Sequence, residues 1–185
     1  MSDEDGRDTF FFATRIPAPR EAVYQAHTDT DLFGLWWGPE GVKTTVLDHE
    51  IELDGHMLYK MDGPAGPLMT GRFDYVDLEE PARIAFDEAF VNTKGKTVRH
   101  PGHPTWPMTV RTTLSLEADG DHATVVSLRA APVDATSSER RSFREARGAL
   151  TKGYAATYRR LTALLAATHP EPGPDDEAIG LEGAG

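Results

Sequence analysis

The sequence predicts an α+β domain in which a strongly curved antiparallel sheet wraps one long C-terminal helix. Three observations lead there. Short segments of alternating apolar and polar residues follow one another between 42 and 131, separated by turn signals such as Asp54-Gly55, Glu79-Glu80-Pro81 and Asp119-Gly120; this is the pattern of consecutive hairpins. From Ser138 to Thr168 there is no proline, and Phe143, Ala146, Leu150, Tyr154, Thr157, Leu161, Leu164 and Leu165 recur at three- or four-residue spacing, as one buried helical stripe requires. Only this helix is long enough to cover the sheet, so the sheet must curve around it.

In chain order, residues 7–16 are rich in Phe, Thr and Ile and read as a strand that Pro17 and Pro19 end,. Residues 20–28 place Val23, Ala26 and His27 on one helical face. Asp29 or Thr30 then caps a second short helix that runs through Trp37. A strand over 42–53 leads to the Asp54-Gly55 turn. Residues 56–61 put Met57, Tyr59 and Met61 on one face. After a loop at 62–67, residues 68–77 align Met69, Phe73 and Tyr75 around Gly71. Residues 82–90 align Ile84, Phe86, Glu88 and Phe90,. A polar excursion from Asn92 to Thr105 precedes the face Met108, Val110, Thr112, Leu114 and Leu116, and a last strand covers 123–131. Ser137 or Ser138 is the expected cap of the long helix. Gly148 and Gly153 within it are unfavourable by about 1 kcal/mol each relative to Ala, so close packing or ligand space is expected there.

Charge and cysteine content narrow the function classes. The net charge is −11, but residues 1–8 carry Asp3, Glu4, Asp5 and Asp8 against Arg7, and residues 169–185 carry five acids and no base. The span 9–168 has 21 acids and 18 bases. Two acidic disordered ends, 1–8 and 169–185, therefore flank one domain at 9–168. Without a basic surface, nucleic acid is not an expected partner. Cysteine is absent, which excludes a thiol nucleophile or thiolate zinc site and fits a reducing cytoplasm. No apolar run approaches the roughly 20 residues of a membrane span.

Several segments together resemble a known family. They are Arg15-Ile16-Pro17-Ala18-Pro19-Arg20-Glu21-Ala22-Val23, Trp36-Trp37-Gly38-Pro39-Glu40-Gly41, the turn at Asp54-Gly55, Gly71-Arg72-Phe73 before Glu80-Pro81-Ala82-Arg83-Ile84, the strand from Val110, and the Tyr-rich final helix. In this order they are similar to the START/SRPBCC superfamily, and within it to the bacterial proteins related to the Activator of Hsp90 ATPase C-terminal domain and to the calicheamicin self-resistance protein. The chain has Gly55-His56 and Gly153-Tyr154 where that family often has Gly-Gly and Gly-Trp. The resemblance implies a helix-grip fold with about seven strands and a cavity between sheet and final helix.

Trp36, Trp37, Tyr59, Phe73, Trp106 and Tyr154 are the leading candidates for the cavity wall, with Met61, Phe86, Phe90, Met108 and Tyr158 beside them. Tyr and Trp pair an apolar body with a polar edge, which suits an aromatic or polyketide-like ligand; the alternative is that these residues fill the core. Trp36 and Trp37 point about 100° apart on a helix, so one is expected to lock the helix and the other to reach the cavity. His100 and His103, three apart, are a weak metal pair in a proline-broken loop; that loop, anchored by Trp106, is expected either over the cavity mouth or as plain surface. Glu88, among aromatics, is the weak catalytic candidate, set against a register break that would expose it. The cationic side chains of the last helix, Arg140, Arg141, Arg144, Arg147, Lys152, Arg159 and Arg160, read as a solvated face.

The expected function is binding of a small hydrophobic or aromatic molecule without evident catalysis, with no cofactor and no metal. The alternatives are a cyclase- or hydrolase-like enzyme and an Hsp90-activator-type interaction module. A small ligand is the expected partner; a homodimer and a chaperone are the others considered.

Overall fold

The structure is a computed structural model and describes residues 6–169. Strand β1 spans Phe10–Ile16, followed by helices α1 (Arg20–Thr28) and α2 (Thr30–Trp36). Six strands come next: β2 (Lys43–Glu50), β3 (His56–Gly63), β4 (Gly66–Glu79), β5 (Arg83–Phe90), β6 (Val110–Ala118) and β7 (Thr124–Pro132). Helices α3 (Ser137–Glu145) and α4 (Arg147–Thr168) end the described chain. The strands form one antiparallel sheet in the order β1-β7-β6-β5-β4-β3-β2. Most of the two acidic segments expected to be disordered, residues 1–5 and 170–185, lies outside the described residues.

The sheet bends because three of its pairings are irregular. The register shifts between Val46 and Asp48, between Met61 and Asp62, and between Tyr75 and Asp77. Each such bulge adds local twist. The inner face carries Met57, Tyr59, Phe73, Tyr75, Ile84, Phe86, Leu114 and Leu128, all buried. Helix α4 lays Thr157, Tyr158, Leu161 and Leu165 onto the core. Phe10 and Phe12 of β1 stack on Tyr154 at 5.7 and 6.0 Å between ring centroids.

Several local expectations are corrected. Strand β1 starts at Phe10, because Asp8 is drawn into the fold: it is only 5% exposed and pairs with Arg140 and Arg144. Asp54-Gly55 is not a two-residue hairpin but the end of a five-residue loop between Glu50 and His56. The loop expected at 62–67 shrinks to Pro64-Ala65, since Gly63 and Gly66 still pair. Met108 precedes β6 and is not part of it. The final helix is two helices meeting at Ala146, whose ψ of −5° departs from the regular helical value,. Its first cap is Thr136, whose hydroxyl accepts from the Glu139 backbone N–H while the Glu139 carboxylate accepts from the Thr136 backbone N–H, a reciprocal capping box.

The cationic helix face is likewise not simply solvated. Arg140 and Arg144 hold Asp8, Arg147 donates to the carbonyls of Arg7 and Thr9, and Arg160 binds main-chain carbonyls. Arg141, Lys152 and Arg159 are exposed as expected.

His27 joins α1 to α4. It is 5% exposed; its Nδ1 lies 2.7 Å from the Val23 carbonyl and its Nε2 lies 3.1 Å from the Tyr158 hydroxyl. A carbonyl can only accept, so Nδ1 carries the proton and Nε2 accepts from Tyr158. Burial lowers its pKa to about 4, against a smaller opposing effect of the Val23 carbonyl. The unfolded chain takes up this proton near pH 6.5 and the folded chain only near 4, so stability falls as pH drops through that window. From pH 7 to 5 the loss from this group is ~2 kcal/mol. Urea unfolding of the wild type and of His27→Gln at both pH values measures it: the wild type should lose that much more than the variant, and equal losses would refute the assignment.

Candidate ligand cavity

The cavity begins at three neighbouring strands. Tyr59 on β3 pairs with Gly71 on β4, and Phe73 on β4 pairs with Glu88 on β5. A Cβ on Gly71 would stand 2.5 Å from the Tyr59 ring and its hydroxyl. The missing side chain is therefore what lets Tyr59 lie across β4. The Tyr59 hydroxyl thereby reaches Glu88 and donates to Oε1 at 2.8 Å. The nearby register shift falls between Tyr75 and Asp77, before Glu88 in the ladder. Glu88 thus keeps the inward face of Phe86, and the exposure that a register break would give it does not occur.

Glu88 retains some accessible surface, yet it is surrounded by protein and its pKa is raised by burial, with the Tyr59 hydroxyl pulling the other way. Burial raises Tyr59 and Tyr154 well above the usual phenol range, and the Glu88 carboxylate adds to both.

The second wall comes from the end of α2. Trp36 is fully buried, donates from Nε1 to the Ala26 carbonyl at 2.8 Å, and meets His27 edge-on at 4.8 Å. It locks α2 to α1. Trp37 turns the other way, stacks on Phe33 at 5.1 Å and lines the cavity. Its indole N–H is buried beside Tyr59 but meets no hydrogen-bonding geometry. Gly38 follows at φ +99°, which ends the helix,. Arg160 of α4 then gathers the carbonyls of Leu35, Gly38, Pro39 and Val42 at 2.9–3.2 Å.

Helix α4 supplies the third wall with Leu150, Gly153, Tyr154 and Thr157. A Cβ on Gly153 would meet nothing within 4 Å, so this glycine leaves open space and is not forced by tight packing; the same holds for Gly148. Together with Met61, Met69 and Pro39, these residues bound an open-mouthed cavity of about 160 Å³.

Of the residues named from sequence, Trp37, Tyr59, Met61, Tyr154 and Glu88 converge here. The others do not. Trp36 and Tyr158 are consumed by the His27 contacts. Phe73 and Phe86 stack at 4.0 Å beside a void of only about 10 Å³, room for one water at most and not for a ligand. Phe90 packs on His100, and Met108 lies outside the wall.

The 92–109 excursion sits on α3, not over the mouth: Trp106 packs on Phe143, Arg99 pairs with Glu139, and Ser142 donates to Thr105. The His100 and His103 rings are 4.9 Å apart. Among the described residues, no group of three or more His, Asp or Glu is arranged to hold a metal. Gly38, Pro39, Met69, Leu150, Gly153 and Thr157 were not named as wall residues, though the Trp-Trp-Gly-Pro motif, the Met69 strand face, the helical stripe with Leu150 and Thr157, and the unexplained Gly153 each pointed toward them.

A second, larger groove of about 650 Å³ runs between α2 and the edge strand β2, where Leu35 and Leu47 are exposed. Most of its lining is exposed or half-buried and it carries Asp31, Lys43 and His49.

A curved seven-stranded sheet gripping a C-terminal helix, with a cavity between them, defines a helix-grip domain of the START type. The chain belongs to the family of Activator of Hsp90 ATPase homolog 1-like proteins, whose family model matches residues 17–166. The fold is similar to the crystal structure of a Mycobacterium smegmatis protein (22% identity, TM-score 0.72, covering 91% of this chain and 96% of that one). It is similar also to the solution structure of an Arthrobacter aurescens protein (20% identity, TM-score 0.74, 93% and 96% covered). The AHSA1 protein of Silicibacter pomeroyi shares it too (16% identity, TM-score 0.66, 87% and 99% covered). No curated protein matches the chain significantly in sequence. Among the described residues, no helix is long and apolar enough to cross a membrane.

The two glycines of the cavity should respond oppositely to substitution. Gly153→Ala gains helix propensity at no steric cost and should raise stability by ~0.5–1 kcal/mol. Gly71→Ala drives a methyl into Tyr59 and should lower it by ~2 kcal/mol. Urea unfolding measures both; effects of the same sign would contradict the packing described.

Proposed function

We propose that the protein binds a small, largely apolar molecule, about the size of one aromatic ring, between α4 and the sheet. The carrying observation is the 160 Å³ cavity, walled by Trp37, Tyr59, Met61, Met69 and Tyr154 and left open at Gly153. An apolar cavity of about 150 Å³ suffices for benzene, whereas drug-sized ligands occupy roughly 300 Å³ or more. A polyketide-sized ligand therefore does not fit inside. Affinity comes from apolar burial at ~25 cal/mol per Å², reduced by the costs of association.

Glu88 favours a second reading, an acid–base enzyme of cyclase or hydrolase type. Burial pushes its carboxyl toward the protonated form, as a general acid requires. Binding is preferred because Tyr59 is the only side chain bonded to it among the described residues, and no second carboxyl, His, Lys or Ser lines the wall.

Thermal denaturation with benzene, toluene and phenol tests the proposal. A ligand at ten times its Kd stabilises by ~1.4 kcal/mol, which is a rise of about 3–5 °C in Tm. Gly153→Leu, which fills the cavity, should abolish the rise while remaining folded. No rise in the wild type, or an equal rise in the variant, would refute the proposal.

A further inference from the structure

Glu88 is the one charged side chain in the cavity wall, and half of its hydrogen-bonding capacity is unused. Oε1 accepts from Tyr59, while Oε2 has no partner among the described residues. No Lys, Arg or His lines the cavity. The guanidinium of Arg160, on the helix that supplies one wall, is committed to four main-chain carbonyls. Three aromatic residues, Trp37, Tyr59 and Tyr154, line the same cavity, and Tyr59 bonds to the carboxylate.

A carboxylate that shares a cavity with aromatic rings and no protein cation is the chemistry that recognises an ammonium group. The rings attract a cation through their quadrupoles, and the carboxylate accepts a charge-assisted hydrogen bond from it. We infer that the ligand is a small protonated amine with a short apolar or aromatic body. Its ammonium group donates to the free Glu88 oxygen, and its body lies against Met61, Leu150 and the space above Gly153.

The inference rests on the cavity-binding proposal and narrows its ligand class. A carboxylic acid of the same size is repelled, since both ligand and site would carry negative charge with no cation between them. A neutral alcohol can bond to Glu88 but leaves its buried charge uncompensated, or requires the carboxyl to stay protonated. The raised pKa of Glu88 fits this picture: an opposite charge alongside restores the ionised form.

The test compares three single-ring probes of nearly equal size at pH 7: benzylamine, benzyl alcohol and benzoate. Binding is followed by calorimetry and by fluorescence of the tryptophans. Benzylamine should bind at least roughly tenfold tighter than benzyl alcohol, benzoate should bind most weakly, and in Glu88→Gln the preference for the amine should fall to about one. If benzyl alcohol or benzoate binds the wild type as tightly as benzylamine, the amine assignment is overturned while the cavity proposal stands. If the preference survives in a folded Glu88→Gln, recognition by Glu88 is overturned. If none of the three probes binds, both readings fall. Should Glu88→Gln not fold, the ranking of the probes on the wild type decides.

Discussion

Arg160 reaches across from α4 to the main chain that follows α2, and the cavity depends on that contact. The last carbonyls of a helix lack partners within it and carry the negative end of its dipole. A guanidinium offers several donors in one rigid plane. Arg160 spends them on Leu35, Gly38, Pro39 and Val42. The segment carrying Trp37 is thereby fixed to the same helix that carries Tyr154 and Gly153. Two of the three walls are one mechanical unit, and the third is the sheet they rest on.

The adjacent tryptophans divide the interior between packing and space. Trp36, with His27 and Tyr158, builds a fully buried knot joining α1, α2 and α4. Trp37 faces the other way and closes the cavity against Tyr59. On the sheet, Phe73 and Phe86 stack so closely that the adjoining space is sealed. The open volume survives at Gly153, where a Cβ would meet nothing within 4 Å, and where Tyr59 leans over Gly71 to hold Glu88.

The strand faces and the curved sheet over a C-terminal helix were legible in the sequence, since alternation and helical spacing report which residues turn inward. The opposed roles of the two tryptophans followed from helix geometry, though not which was which. Glu88 was legible as an inward residue because Ile84, Phe86 and Glu88 alternate along β5; what was not legible is the bulge at Val76 on β4, past which Phe73 stands opposite Glu88. Nothing local in the sequence marks that bulge. Arg160 and the Asp8 partners looked like ordinary surface cations because their targets, main-chain carbonyls and a residue 132 or 136 positions away, have no signature in helical spacing. The break at Ala146 was hidden for a related reason: an apolar stripe continues through it.

The most direct measurement is a set of intermolecular nuclear Overhauser contacts between benzylamine or toluene and the isotope-labelled protein. The account predicts contacts from the ligand ring to the Trp37 and Tyr154 rings and to the Met61 methyl group, all on the cavity wall. Contacts confined to Leu35 and Leu47 would place the ligand in the groove beside β2 and contradict it.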